Sequence, residues 1–348
     1  MAGGGTGGHA LPLLAVAEEL RRRGHEVLFI GTKKGIESRL VPAKGFPIEY
    51  IEIGGLKGVG VQRVLRTLLN LPLSTFRVWA RLRTNRPGVI FSMGGYVAGP
   101  TVIAALLRRI PVVAMEPNAV PGITNLRLAR YVRKTLLALP DTARYFPASK
   151  IEVTGLPVRE EFFAIPPRPR GQTLRLLITG GSGGSRTLNQ AARQSWALFR
   201  AVGFPIYILH QTGRDAFEDT RAAFAESGLE GEVVPFIENM PGAFATSDLI
   251  VSRAGAGAVA ELAAAGKPAI LVPFPFASDQ HQLRNAEAFE RAGAAQLILD
   301  REMNGERLVK AVTDGAARME QMAAAARGLS RPGATRRVAD LLEELVDS

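Results

Sequence analysis

The sequence predicts an α/β protein built from two doubly wound parallel-sheet domains. Three observations predict it: short apolar strands alternate with helical segments, a proline-rich stretch divides the chain, and a glycine run opens each half. Continuous apolar strands between helices are typical of parallel sheets that are covered on both faces. Because both halves show the same pattern, we expect two similar domains facing a cleft, with ligands at the carboxyl ends of the strands.

Eight apolar runs rich in β-branched residues read as strands. They are EVLFIG (26–31), GVIFSM (88–93), PVVAM (111–115), LRLLITG (174–180), PIYILH (205–210), DLIVS (248–252), PAILVPF (268–274) and AAQLILD (294–300). The segment LPVREEFFAIPPRPRGQ (156–172) separates the first three from the rest. We place the boundary at its start, giving a first domain of 1–156 and a second domain from 157.

Charge is distributed unevenly between the halves. Residues 1–155 hold 22 Lys and Arg against 9 Asp and Glu, a net +13, whereas residues 156–348 hold 21 against 23, a net −2. A basic half suits nucleic acid, a membrane surface or an anionic substrate. Nucleic acid is disfavoured, because aromatic residues make up 7% and no known binding module is recognisable. The chain has no cysteine, which excludes disulfides and thiolate metal sites, and its first residues do not predict a signal peptide.

The first glycine run, AGGGTGGHALP, stands directly after Met1. A glycine turn before a helix lets backbone N–H groups approach a phosphate. Gly3, Gly5 and Gly8 fit G-x-G-x-x-G, yet the next strand ends in Gly-Thr-Lys-Lys without the acidic residue that NAD binding needs. NAD is therefore disfavoured, and a purely structural tight turn stays open.

The second half carries two more turns of this kind. Gly180 to Gly184 lead into a helix, and SRAGAGAVAEL (252–262) passes from a strand through small residues to Glu261. A carboxylate between one and two turns into this helix suits the two hydroxyls of a ribose, although an early Glu also simply favours the helix dipole. Together, the two turns favour a nucleotide-diphosphate site.

Histidines are the candidate acid–base groups. His9 stands on the first glycine turn and is the preferred candidate, whereas His25 reads as an exposed cap, His210 as core or functional, and His281 as ambiguous. Their spacing suggests no metal site, and no Asp-x-Asp metal clamp is present. We expect neither a metal nor another cofactor.

Six motifs together identify a resemblance. GGGTGGH (3–9), SMGGYVAGP (92–100), EPNAVPGITN (116–125), GGSGGSRTLN (180–189), SRAGAGAVAEL (252–262) and DQHQLRNA (279–286) occur in the order seen in the MurG family. That family transfers N-acetylglucosamine (GlcNAc) from UDP-GlcNAc to lipid I, giving lipid II for peptidoglycan. The resemblance implies a GT-B architecture, with a second domain of 157–332 and a last helix (333–348) that returns to the first.

The resemblance also assigns residues to the substrates. Ile237 would read uracil through its backbone, Glu261 would bind ribose, Ser182 and Arg159 would hold phosphate, and Gln282 beside His281 would contact the sugar. The remaining donor-binding residues it implies are Thr6, Gly7, Gly8, Asn118, Ala256, Gly257, Ala258, Val259 and Ala260. The first turn would lie at the acceptor diphosphate or the bound sugar. Pro117, Leu156 and Ala254 depart from the family pattern, which expects Gln, Asn and Ser there.

An inverting displacement needs a base for the acceptor hydroxyl, and preorganised N–H donors stabilise the departing UDP. We assign this base to His9, with Glu116 as the second candidate; each could instead serve the loop structurally. A UDP-GlcNAc 2-epimerase or another glycolipid glycosyltransferase of the same fold is the alternative function. Family members also carry a strand before GGGTGGH, where this chain has Met1 and Ala2. We expect either an upstream start or an unfilled position in the first sheet.

Residues 61–86 combine apolar and basic side chains without one acidic residue. Leu, Phe and Trp interleaved with Arg suit the headgroup boundary of anionic lipid; an ordinary helix with one solvated basic face is the alternative. We expect peripheral attachment to an anionic phospholipid surface at the cytoplasmic face of the membrane, with cell-wall synthesis proteins as candidate partners. The residues assigned to this surface are Leu68, Leu69, Phe76, Arg77, Trp79, Arg81 and Arg83.

Overall fold

The computed structural model describes residues 1–5, 7–54, 61–169, 171–277 and 280–346, with residues 61–69 described as backbone only. The chain divides into two compact units, here called the first unit (Met1–Arg159 with Gly333–Ser348) and the second unit (Glu160–Pro332). Parallel sheets in both units confirm the predicted α/β class. Among the described helices, none is long and apolar enough to cross a membrane.

The first unit alternates strands and helices around a parallel sheet. Its strands are β1 (Phe29–Gly31), β2 (Ile48–Tyr50), β3 (Ile90–Ser92), β4 (Val112–Glu116), β5 (Lys134–Leu137) and β6 (Ile151–Val153). Its helices are α1 (Gly7–Arg22), α2 (Glu37–Ala43), α3 (Val61–Asn85), α4 (Gly95–Leu107), α5 (Ile123–Leu128) and, from the chain end, α14 (Ala334–Val346), with short 3₁₀ turns at Pro140–Tyr145 and Ala148–Lys150.

Ala2 lies between the two groups of strands in this sheet. β1 pairs with β2, and β3, β4, β5 and β6 pair in that order. Ala2 forms parallel bridges to Ile30 on one side and Ser92 on the other, and its N–H donates to the carbonyl of Phe91 at 2.8 Å. It is fully buried. Ala2 therefore fills the position between β1 and β3 for one residue. The glycine turn that follows it starts at the topological switch point of this sheet.

The second unit has the doubly wound order β12-β11-β10-β7-β8-β9, all parallel. Its strands are β7 (Leu174–Thr179), β8 (Ile206–Gln211), β9 (Glu230–Val234), β10 (Leu249–Ser252), β11 (Ala269–Leu271) and β12 (Ala295–Leu297). Its helices are α6 (Glu160–Phe163), α7 (Arg186–Phe199), α8 (Phe217–Ala225), α9 (Met240–Thr246), α10 (Ala256–Ala265), α11 (His281–Arg291), α12 (Gly305–Ala317) and α13 (Met319–Leu329), with a 3₁₀ turn at Asp300–Glu302.

The switch point of this second sheet lies between β7 and β10. The glycine turn Gly180–Gly184 follows β7, and the small-residue turn before α10 follows β10. Ligands of open α/β sheets bind at such a point, beyond the carboxyl ends of the strands. The two turns singled out in the second half of the sequence are therefore neighbours in space.

The last helix belongs to the first unit and packs against α1. Arg23, just after α1, pairs with Asp340 at 2.7 Å and Glu343 at 2.6 Å on α14. Near its start, the Thr335 hydroxyl donates to the carbonyl of Val158 at 3.3 Å. A buried apolar face containing Val338, Ala339, Leu341 and Leu342 supplies the packing energy.

Candidate active site

The glycine turn of the first unit leads from Ala2 into α1. Gly7 and Gly8 form the start of this helix, and no acidic residue lies in its first turn. The first N–H groups of a helix lack intrahelical acceptors and attract anions. Two of the predicted ligand residues therefore present backbone donors, while Thr6 lies outside the described residues.

His9 follows in the same turn of α1, and its ring lies against the second glycine turn of this unit. A Cβ atom built on Gly95 would stand 3.6 Å from His9 Cε1 and 3.8 Å from Nδ1. Gly94 and Gly95 form this second turn, which connects β3 to α4, and Gly95 is the first residue of α4. The turns after Ala2 and β3 therefore meet at this imidazole, on the carboxyl edge of the sheet.

Glu116 ends β4 and is 1% exposed. One carboxylate oxygen accepts from the backbone N–H and the side-chain amide of Asn118, at 3.1 and 3.3 Å. The other accepts from Gly122 N at 3.0 Å and Asn125 Nδ2 at 2.9 Å. Burial raises the pKa of Glu116 to about 7, against the lowering effect of these hydrogen bonds. Since both oxygens are engaged, the geometry favours an anchor of the 117–122 loop over a base.

In the second unit, Gln211 connects two segments assigned to the donor. Its amide Nε2 donates to the Gly181 carbonyl at 2.6 Å, and its Oε1 accepts from the Ile237 N–H at 3.2 Å. Ser182 stands exposed at the tip of the glycine turn. The Ile237 N–H thus has a protein acceptor, Gln211 Oε1.

Helix α10 divides its predicted contact residues between two faces. Ala256 and Val259 are 7% and 4% exposed and face the core. Gly257, Ala258, Ala260 and Glu261 are only partly buried. Glu261 is the sixth residue of the helix, so it lies one turn beyond Gly257 and Ala258 on the same side. Ala256 and Val259 can therefore serve a ligand only through their backbone.

Helix α11 brings its first turn to the same edge. Gln282 Oε1 accepts from the Phe274 N–H at 2.9 Å, which ties this side chain to the segment after β11. Asn285 is fully buried and donates to the Ala254 carbonyl at 3.1 Å, at the turn before α10. His281 is partly buried at the start of the helix. Asn285 was not among the expected site residues, although it lies within the quoted DQHQLRNA motif.

His210 is a core residue. It is fully buried, and its Nε2 lies 3.0 Å from Asn189 Oδ1. Burial lowers its pKa to about 4, so the ring is neutral at physiological pH. Of the two alternatives for His210, the geometry favours the structural one.

Sequence reasoning missed a charged network that joins three turns of the second unit. The Arg253 guanidinium donates to Ser185 Oγ at 2.7 Å, to the Val272 carbonyl at 3.0 Å and to the Asp300 carboxylate. Ser185 caps α7 by accepting from the Leu188 N–H at 3.3 Å. Arg253 therefore holds the starts of α7 and α10 to the end of β11. The arginine of SRAGAG is the one feature of the motif that could have indicated this network. Its partners lie far away in the sequence and belong to no recognisable pattern with it.

The departures from the family pattern fall at buried positions. Pro117 is buried, Leu156 is 5% exposed and Ala254 is fully buried. An apolar side chain fits such a position without a hydrogen-bond partner. Arg159 directly precedes α6 and is partly buried at the end of the first segment of the first unit.

Helix α3 separates its side chains into a buried and an exposed face. Val78 and Leu82 are 1% and 2% exposed, whereas Phe76 is 62% exposed. Trp79 stacks on Phe76 with ring centroids 6.1 Å apart and lies under the Arg108 guanidinium. Arg77, Arg81 and Arg83 are exposed, and Arg81 lies 3.4 Å from Glu49. The side chains of Leu68 and Leu69 lie outside the described residues.

The chain matches two domain families along most of its length. The glycosyltransferase family 28 N-terminal domain matches residues 1–137, and the glycosyltransferase family 28 C-terminal domain matches residues 175–345. Together with two parallel sheets that carry glycine turns at their switch points, these matches define a glycosyltransferase of the GT-B class.

Full-length relatives narrow this class. A UDP-N-acetylglucosamine--N-acetylmuramyl-(pentapeptide) pyrophosphoryl-undecaprenol N-acetylglucosamine transferase from Solibacter usitatus is 60% identical, covering 99% of this chain and 95% of the relative. The protein of the same name from Anaeromyxobacter dehalogenans is 42% identical over 99% and 92%. The crystal structure of Acinetobacter baumannii MurG superposes with a TM-score of 0.80 at 35% identity, covering 98% and 97%. The chain belongs to the MurG family of glycosyltransferases, and the predicted resemblance is confirmed.

A putative UDP-N-acetylglucosamine 2-epimerase from Listeria monocytogenes has a TM-score of 0.69 at 11% identity. At that identity the likeness shows the shared fold alone. The epimerase alternative therefore has no support beyond the fold.

Proposed function

We propose that this protein transfers GlcNAc from UDP-GlcNAc to the muramoyl 4-hydroxyl of lipid I, giving lipid II with inversion at the anomeric carbon. The 60% identity to a named transferase along almost the whole of both chains carries this proposal. The glycine turns at both switch points are consistent with it, because each presents backbone donors where anionic substrates bind.

The donor fits the second unit. The carboxylate of Glu261 would accept hydrogen bonds from the ribose hydroxyls, and the Ile237 carbonyl would accept from uracil. Ser182, with the N–H groups at the start of α10, would hold the diphosphate; His281 and Gln282 would contact the sugar. The network centred on Arg253 supports this assignment, because it fixes the starts of two helices whose N-termini stabilise the charge that develops on departing UDP.

The acceptor fits the first unit. Gly7 and Gly8 would donate to its diphosphate or the transferred sugar, with Asn118 lining the same edge and held by Glu116. His9 would take the proton from the acceptor hydroxyl as the new bond forms. Its position at the meeting point of two glycine turns supports the role, since a general base must reach the attacking oxygen. Glu116 is better suited to support the loop.

The exposed face of α3 would attach the first unit to anionic phospholipid at the cytoplasmic face of the membrane. Phe76 and Leu73, which is 49% exposed, are apolar groups at the surface among exposed arginines. Such a face suits a headgroup region, and lipid I is an acceptor that resides in the membrane. Attachment would be peripheral, and cell-wall synthesis proteins are candidate partners there.

The test incubates the protein with UDP-GlcNAc, with and without a lipid I analogue. We expect a disaccharide product only when the acceptor is present. Release of free N-acetyl sugar without acceptor would identify an epimerase, and absence of the disaccharide from a folded, UDP-binding preparation would refute the transferase.

A further inference from the structure

Glu37 is a buried carboxylate beneath the first glycine turn. It is the first residue of α2 and is 1% exposed. Within the described part of the chain, no lysine or arginine pairs with it. Burying a carboxylate without a cationic partner costs free energy unless hydrogen bonds satisfy it. The hydrogen bonds of Glu37 therefore show which segments this residue connects.

Those contacts join the glycine turn to the neighbouring strand. Glu37 Oε2 accepts from the Gly5 N–H at 2.8 Å. Its Oε1 accepts from the backbone N–H and the hydroxyl of Thr32, each at 2.9 Å. Thr32 directly follows β1, and Gly5 belongs to the turn after Ala2. One carboxylate thus fixes the chain beyond two adjacent strands, through charge-assisted hydrogen bonds.

The surrounding backbone is shaped to this carboxylate. A Cβ atom on Gly4 would stand 2.3 Å from Glu37 Cδ, and one on Gly35 would stand 2.0 Å from Oε2. Glycine at both positions therefore allows the backbone to close on the carboxylate from two sides. This close approach explains two glycines that a phosphate-binding role does not require.

The hydrogen bond to Glu37 also limits which N–H groups of the turn can bind a substrate. The Gly5 N–H is occupied and is unavailable to a substrate phosphate. The donors that remain for a substrate are those at the start of α1, including Gly7 and Gly8, with the His9 imidazole beside them. Because Gly5 lies two residues before Gly7, fixing Gly5 sets where these groups stand.

We propose that Glu37 is a positioning residue for the transfer reaction, holding the first glycine turn so that the N–H donors of α1 and the His9 imidazole face the acceptor. The inference rests on the proposed transferase function. A positioning role predicts that a Glu37 variant loses turnover while it remains folded and binds UDP normally. A role in stability alone does not predict this combination.

The experiment compares Glu37→Gln with the parent in the lipid I assay, at a temperature well below both melting temperatures. A glutamine amide keeps one oxygen but turns an NH₂ group toward a backbone donor. We expect kcat to fall at least tenfold, with the KM for UDP-GlcNAc and the Kd for UDP within twofold of the parent. Glu18→Gln is the matched control, because Glu18 pairs with Lys44 on the surface of the same unit and should keep the parental kcat.

If Glu37→Gln does not fold at the assay temperature, Glu37→Asp takes its place. This change keeps the charge but withdraws the carboxylate by about 1.5 Å, one carbon–carbon bond, and should lower kcat at least threefold. A folded Glu37 variant with kcat within twofold of the parent overturns the proposal. An inactive parent refutes the transferase function itself, so the two failures are distinguishable.

Discussion

The imidazole of His9 lies against Gly95, with Cε1 3.6 Å from the place a Cβ atom would occupy. The two residues are far apart in the sequence: His9 lies in the first turn of α1, and Gly95 is the first residue of α4. Their contact places an acid–base group where the two glycine turns of the first unit meet.

Replacing His9 by alanine should abolish most turnover without affecting donor affinity. Loss of a general base typically lowers rates by about 10²- to 10⁴-fold. The measurements are kcat with a lipid I analogue and the Kd of UDP by calorimetry. His25→Ala is the control, because His25 is a partly exposed histidine of the same unit that pairs with Glu343. If His9→Ala retains the turnover of the control, another group is the base.

Replacing Glu261 by alanine should chiefly weaken donor binding. A lost charge-assisted hydrogen bond costs about 1.5–3 kcal/mol, which raises the Kd of UDP about 10- to 100-fold. Glu306→Ala, an exposed glutamate at the start of α12, should leave the Kd unchanged. Equal affinities for the two variants would remove Glu261 from the ribose site.

Glu116 should make stability depend on pH between its two pKa values. Burial raises its pKa from 4.5 to about 7, so the folded state retains a proton that the unfolded chain has lost. The stabilisation is therefore complete below pH 4.5 and is lost as pH rises through 7, a change of about 3 kcal/mol.

Urea unfolding of the parent and Glu116→Gln across this range provides the measurement. The parent should lose more stability than the variant between pH 5 and pH 7.5, because the amide does not titrate. Parallel pH profiles for the two proteins would show that Glu116 titrates normally.

Replacing Arg77, Arg81 and Arg83 together by glutamate should abolish binding to anionic vesicles. Basic residues at a membrane surface contribute about 1 kcal/mol each, and glutamate adds repulsion. We expect the parent to sediment with phosphatidylglycerol vesicles in a salt-sensitive manner and to bind neutral vesicles little, while the variant keeps UDP binding.

A charge-matched variant tests whether vesicle binding depends on the exposed face of α3 or only on net charge. Arg193, Arg200 and Arg307 are exposed arginines of the second unit, and their replacement by glutamate changes the net charge equally. Vesicle binding should survive in this control. If both variants bind vesicles alike, the exposed face of α3 is not the docking surface.

Lengthening the strand that ends at Ala2 should raise stability. Ala2 bonds to both neighbouring strands for one residue only. A chain that starts about six apolar residues earlier, a typical strand length, would extend both ladders and bury more apolar surface. Its melting temperature should exceed that of the chain starting at Met1, and an equal melting temperature would show that the added residues do not enter the sheet.

Much of the fold could be predicted because local patterns are strong here. The eight apolar runs each cover all or nearly all of a strand of the structure, and the glycine turns stand where strands end. Strands β2, β5, β6 and β9 were not singled out, since their sequences are short or mixed and gain their place by pairing with neighbours. The family could be identified because its motifs occur together and in order.

The sequence by itself determined the α/β class and the glycine turns, and it predicted roles for His9 and Glu261, because these depend on residue type and local spacing. Only the tertiary structure decided which groups serve one another. In the structure, Ala2 lies between two strands and Glu116 binds the N–H groups of the loop that follows it. Arg253 connects three turns, and Glu37 accepts a hydrogen bond from Gly5. Burial and hydrogen bonding between segments distant in the chain fix such relationships, and no local pattern encodes them.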